Sequence, residues 1–91
     1  MKGKRIYLLE EEYSWRSDMP SFCVLGAFTT KEKAMEELEN NKKLFLSDEA
    51  ETLNKIPIED LKIKERDDFY SILDENMGDY YELAVFEKTL K

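Results

Sequence analysis

Ser21-Phe22-Cys23-Val24-Leu25-Gly26-Ala27-Phe28-Thr29-Thr30-Lys31-Glu32-Lys33-Ala34-Met35-Glu36-Glu37-Leu38 is the stretch in which several local signals agree on a structure. By strict alternation Phe22, Val24, Gly26 and Phe28 share one side of an extended strand and Cys23, Leu25 and Ala27 the other. Both sides are apolar, so the stretch reads as a central, two-sided strand with Val24 and Phe28 in the core and Cys23 protected. Thr29-x-x-Glu32 has the form of a capping box, in which the hydroxyl accepts from the Glu32 amide and the carboxylate reaches back. Ala34, Met35 and Leu38 then recur at helical spacing, which predicts an amphipathic helix from Thr30 to about Leu46 folded back over the strand.

Composition limits what surrounds this unit. The 91 residues suffice for one domain with one modest core, and 42% hydrophobic content with 12% aromatics argues for a folded chain despite 38% charged residues. No apolar run approaches the ~20 residues of a membrane span, and Ile6 to Leu9 is too short for a signal-peptide core, so the expected location is cytoplasmic. Cys23 is the one cysteine and reads as a small buried hydrophobe. The net charge of −7 is uneven: of 21 acids and 14 bases, eight of each fall in residues 1–47, leaving thirteen acids against six bases in residues 48–91. Direct binding to nucleic-acid phosphates needs a basic face and is disfavoured.

Along the rest of the chain, Ile6 to Leu9 begins a strand that turns polar at Glu10, Glu11 and Glu12 and regains aromatic character at Tyr13 and Trp15. The three glutamates read as a solvated strand end or a repulsive edge. Ser17, Asp18 and Pro20 are turn formers, so the first two strands are expected to pair as an antiparallel hairpin. Asp48 with Glu51 offers a second capping box, opening a short helix that Pro57 must end. Leu61 to Lys64 alternates like an edge strand with outward lysines. Asp67 to Met77 reads first as a helix, from the spacing of Phe69, Ile72, Leu73 and Asn76 before Gly78; the alternative is a hairpin strand turning at Asn76 to Gly78. Tyr80 to Thr89 is a second two-sided strand, expected beside one of the first two.

The opening strand with its acidic loop, followed by Leu25-Gly26-Ala27-Phe28-Thr29-Thr30-Lys31-Glu32-Lys33-Ala34, resembles a widespread group of small uncharacterised bacterial and phage domains. These share a strand, a Gly-x-Phe-Ser/Thr-Ser/Thr-x-Glu-x-Ala junction, a helix and a later aromatic-rich strand. The resemblance covers about the first half of the chain. It implies close packing at Gly26 and a helix-to-sheet contact at Ala34, and it brings no catalytic residue with it.

With no histidine, the usual general base near neutral pH and the commonest metal ligand are missing. Asp74, Asn76 and Asp79 around Gly78 faintly suggest a calcium loop, but the sixth and twelfth positions hold Asp79 and Val85 where glycine and a bidentate acid are needed. No cradle for a phosphate is present, so neither cofactor nor metal is expected. Glu65 to Glu82 interleaves seven acids and one arginine with Phe69, Tyr70, Met77, Tyr80 and Tyr81. That pattern fits an acidic amphipathic element with core aromatics, or a contact face for a basic protein.

These readings predict one acidic α+β domain over residues 1–91, an antiparallel sheet of three or four strands with one main helix on one face and one or two short ones. The expected role is a non-catalytic interaction module, of the kind a phage or mobile element uses as an inhibitor, for a partner with a basic surface. Candidate contact residues are Asp67, Asp68, Asp74, Glu75, Asp79, Tyr80, Tyr81 and Trp15. The alternatives are homodimerisation through a sheet edge and, last, a carboxylate-dependent enzyme.

Overall fold

Among the described residues the chain runs β1 (Lys4–Ser14), β2 (Ser21–Phe28), α1 (Lys31–Asp48), α2 (Ala50–Lys55), a 3-10 turn (Ile58–Asp60), β3 (Leu61–Arg66), β4 (Phe69–Asp74) and β5 (Asp79–Leu90). The computed structural model describes residues 4–16 and 19–90. Every pairing is antiparallel and the strand order is β2-β1-β5-β4-β3, so the domain is α+β with a five-stranded sheet. That is one strand more than the upper expectation.

β5 is central because it can satisfy both of its edges, pairing with β1 from Lys4↔Leu90 to Ser14↔Tyr80 and with β4 from Phe69↔Ala84 to Asp74↔Asp79. Its Tyr81, Leu83 and Val85 share one face with Leu9, Tyr70 and Ile72, and together with Ala34 and Leu38 of α1 they make the core. The 18 residues of α1 span about 27 Å, enough to cross this face once. Among the described residues no helix covers the opposite face.

The helix starts one residue later than the capping-box pattern indicates. Thr30, not Thr29, is the N-cap, and its hydroxyl accepts from the Lys33 amide at 3.3 Å. Asp48 likewise does not cap α2: it is the last residue of α1, and Glu49 stands at the N-cap of α2 without a side-chain hydrogen bond. β3 lies at a sheet edge and β1 and β2 form the expected hairpin.

Two further sequence expectations are corrected. Asp67 to Met77 is not helical, and the alternative reading of a hairpin strand holds: Phe69–Asp74 is strand β4, and the chain turns at Asp74 to Gly78. Asp74 Oδ1 accepts from the Asn76 and Met77 amides at 3.1 and 3.4 Å, its carbonyl accepts from Gly78 N–H at 2.7 Å, and Gly78 has φ +77°. These bonds close a turn that glycine adopts without strain. Equally, β2 is an edge strand and not a central one, with Phe22, Cys23, Val24 and Leu25 all exposed.

A β-bulge turns Phe22 and Val24 to the side away from the helix. Leu9 faces Gly26 while Glu10 faces Val24, leaving Leu25 without an opposite residue. One extra residue reverses the alternation, so Phe28 and Gly26 face the helix whereas Val24 and Phe22 face the bare side. Phe28 is half-buried against the core with its ring over Gly26, where an added Cβ would lie 2.8 Å from the ring.

Candidate interaction face

Register defines the bare face row by row. One row reads Val24, Glu10, Ala84, Phe69, Arg66 from β2 to β3, and the next reads Phe22, Glu12, Glu82, Ser71, Lys64. A third runs Ser14, Tyr80, Leu73, Lys62. On this face β2 presents Phe22 and Val24, β1 presents Glu10 and Glu12, β5 presents Glu82 between Ala84 and Tyr80, and β3 presents Lys62, Lys64 and Arg66.

Glu12 and Glu82 are direct cross-strand neighbours of like charge, an arrangement that opposes folding. Neither they nor Glu10 are ion-paired among the described residues. Phe22 at 61% exposure and Phe86 at 50% flank them. These residues, with Ala84, line a hollow of about 120 Å³. Exposed aromatics around uncompensated carboxylates are what a basic, partly apolar partner would cover.

The contact residues expected from sequence do not form one patch. Asp67 and Asp68 sit in the turn before β4; Asp74, Glu75 and Asp79 sit at its other end, roughly 17–20 Å away along a strand of that length. Several are already engaged: Asp68 with Lys31 at 3.8 Å, Glu75 with Lys62 at 3.5 Å, and buried Asp74 with its own turn. Tyr80 lies half-buried on the bare face, opposite Leu73 and Ser14. Tyr81 is core; its ring stacks on Phe45 at 3.9 Å and its hydroxyl donates to Glu11 at 2.7 Å. Burial first, and then the Glu11 carboxylate that accepts its proton, hold the Tyr81 hydroxyl well above its ordinary pKa.

Trp15, expected among the contact residues, is not at the surface. It is buried beneath the helices, edge-on to Phe45 at 5.4 Å. The chain turns immediately after it at Arg16, whose φ of 55° is unusual for a residue with a Cβ, and the Arg16 guanidinium donates to Thr52 of α2 at 2.9 Å. The acids of the bare face, Glu10, Glu12 and Glu82, were missing from the sequence-derived set. The signal that could have found them was that a single long helix can cover only one face.

No protein-family model, no curated protein and no solved structure matches this chain. Among the described residues no helix is long and apolar enough to cross a membrane.

Proposed function

We propose that the domain is a non-catalytic interaction module that binds a basic protein surface with the bare face of its sheet. The observation that carries this reading is the Glu12–Glu82 pair, a like-charge juxtaposition on an uncovered face between exposed Phe22 and Phe86. Such a pair disfavours folding and becomes favourable when a lysine or arginine of a partner lies between the carboxylates. A nucleic-acid-binding protein whose basic site the face occupies has suitable chemistry, and that is the action of an inhibitor carried by a phage or mobile element.

A partner recovered by pull-down supplies the test, read as binding kinetics at several salt concentrations. Glu10→Gln, Glu12→Gln and Glu82→Gln together should slow association and flatten its salt dependence, while Phe22→Ala and Phe86→Ala should speed release. Unchanged rates and salt slope in the amide variant would sink the reading.

One observation favours a second reading, self-association: β2 pairs with β1 alone among the described strands, leaving its other edge open and rich in exposed apolar side chains. Sedimentation over a range of concentrations separates the two, because a β2-edge dimer gains mass as the protein is concentrated and the partner-free module does not.

A further inference from the structure

The two edges of the sheet are built differently. β3 carries Lys62, Lys64, Glu65 and Arg66 within its six residues, and charges of this kind deter pairing at an edge. β2 has eight residues and none of them is charged. Its outer edge pairs with no strand among the described residues, and Ser21 to Leu25 are all exposed. Ser21 to Val24 also keep a regular register against β1, from Tyr13↔Ser21 to Glu10↔Val24, because the bulge falls only after them. This is a regular run of unguarded edge, the kind of place where an extended chain adds as a further strand.

The neighbouring side chains select for charge. Glu10 and Glu12 stand on β1 directly opposite Val24 and Phe22, on the bare side, and neither is ion-paired among the described residues. A strand added to β2 lies two strand spacings, about 10 Å, from β1. A lysine or arginine on the bare side of that strand passes over Phe22, which is exposed, so the cation meets an aromatic face and then a carboxylate. Phe22, Glu10 and Glu12 already line one hollow, the same one that Glu82 and Phe86 enter from β5.

A second copy of the chain fits this edge less well. Two β2 edges paired together bring no base to Glu10 or Glu12 and join chains that each carry a charge of −7. β3 is the chain's own basic edge, but its Lys62 lies 3.5 Å from Glu75 and its Arg66 sits over the Phe69 ring at 5.1 Å.

We infer that the edge of β2 at Ser21 to Val24 takes up an extended segment of a partner protein as a sixth strand, with lysine or arginine at alternate positions facing Glu10 and Glu12. This rests on the reading of the bare face as a site for a basic protein and adds the conformation in which that protein is held. Main-chain hydrogen bonds to the edge supply affinity, and the alternate cations supply selectivity.

The probes are the peptide acetyl-Lys-Val-Lys-Val-Lys-Val-Lys-Val-amide and its neutral counterpart with threonine in place of lysine, each titrated into the full chain and followed by nitrogen–proton correlation spectra. The lysine peptide should shift the amides of Ser21 to Leu25 more than those of β3, slow their exchange with solvent, and bind about tenfold more tightly than the threonine peptide. Successive N–H groups of a strand point to opposite edges, so only one set of alternate residues in the peptide can bond to β2. N-methylation of the lysines in one peptide and of the valines in another should therefore abolish binding in one and spare it in the other. Glu10→Gln with Glu12→Gln should weaken the lysine peptide about tenfold and leave the threonine peptide as it was. Equal binding of the lysine and threonine peptides removes the basic-partner reading and this inference with it. Lysine-selective binding that both N-methylated peptides share equally, or that shifts β3 and not β2, overturns this inference alone, because charge then recognises the face without a strand being added. A lysine peptide that does not bind at millimolar concentration, or a sedimenting mass that grows with protein concentration in the absence of peptide, overturns it as well, the latter because the edge then belongs to a second copy.

Discussion

Glu11 and Glu12 are adjacent in β1, yet they belong to two different environments. Glu11 faces the helices and accepts a hydrogen bond from Tyr81, while Glu12 faces the bare side and meets the like charge of Glu82. The same division separates Leu83, fully buried under α1, from Val24, exposed on β2. The covered face holds the groups whose interactions complete the fold. The bare face holds Glu10, Glu12 and Glu82, which have no ion pair among the described residues. A strand delivers successive side chains to both environments, so stability and recognition can be set independently along one segment.

The largest effect that could break this contrast is a pair of truncations. Leu83→Ala empties space at the centre of the core and should cost about 3–5 kcal/mol, a large share of the stability of so small a domain. Val24→Ala, on the bare face, should stay within about 0.5 kcal/mol of the parent. Urea melts measure both. Cys23, exposed on β2, should react with a thiol reagent in the native state. Comparable losses from the two truncations, or a Cys23 that reacts only after unfolding, would place β2 inside a covered sheet.

The next effect concerns Tyr81. Tyr81→Phe keeps the stacked ring and removes the hydroxyl that donates to Glu11, a charge-assisted bond worth about 1.5–3 kcal/mol. The pH dependence follows from the raised pKa. An unfolded tyrosine begins to lose its proton near its ordinary value of 10.0, whereas folded Tyr81 holds its proton well above that. The stabilisation is therefore fully present below about pH 10 and is lost as pH rises further, because there the unfolded state releases the proton first. Tyr70, raised by burial and then by Glu65, adds to the loss in the same direction. Thermal melts between pH 8 and 11 should show parent and Tyr81→Phe converging at the alkaline end. A constant difference across that range would mean that the hydroxyl contributes nothing through its proton.

Much of the covered face was legible because its signals are local. The strand-to-helix passage at Phe28 to Ala34, the hairpin of β1 and β2, and the two-sided β5 all follow from patterns within a dozen residues. The failures have physical causes that reach beyond such a window. β4 is six residues long, too short for a period of two to be told from 3.6, and pairing with β3 and β5 on its two edges decided the matter. In β2 a two-sided apolar pattern implies two covered faces, but the bulge at Leu25 turns Phe22 and Val24 away from α1. The acidic stretch Glu65 to Glu82 looked continuous in sequence, but β4 carries its two ends apart. Trp15 belongs to the same class: it is buried against Phe45, 30 positions away in the chain.

The smallest effect tests the contrast most directly, because it turns on a sign. If Glu12 and Glu82 repel one another across the sheet, Glu12→Gln should stabilise the free domain by about 0.2–1 kcal/mol, and the gain should shrink at 1 M salt, where charges are screened over about 3 Å. Glu11→Gln should do the opposite. It exchanges a carboxylate for a weaker acceptor beneath Tyr81, so it should destabilise, and it should lose less with added salt because the pair is part-buried. Two isosteric changes at neighbouring positions would then move the melting temperature in opposite directions. Differential scanning calorimetry at low and high salt can resolve both. Stabilisation by both changes would mean only that an acidic protein benefits from any lost charge, and the bare face would hold no special repulsion for a basic partner to relieve.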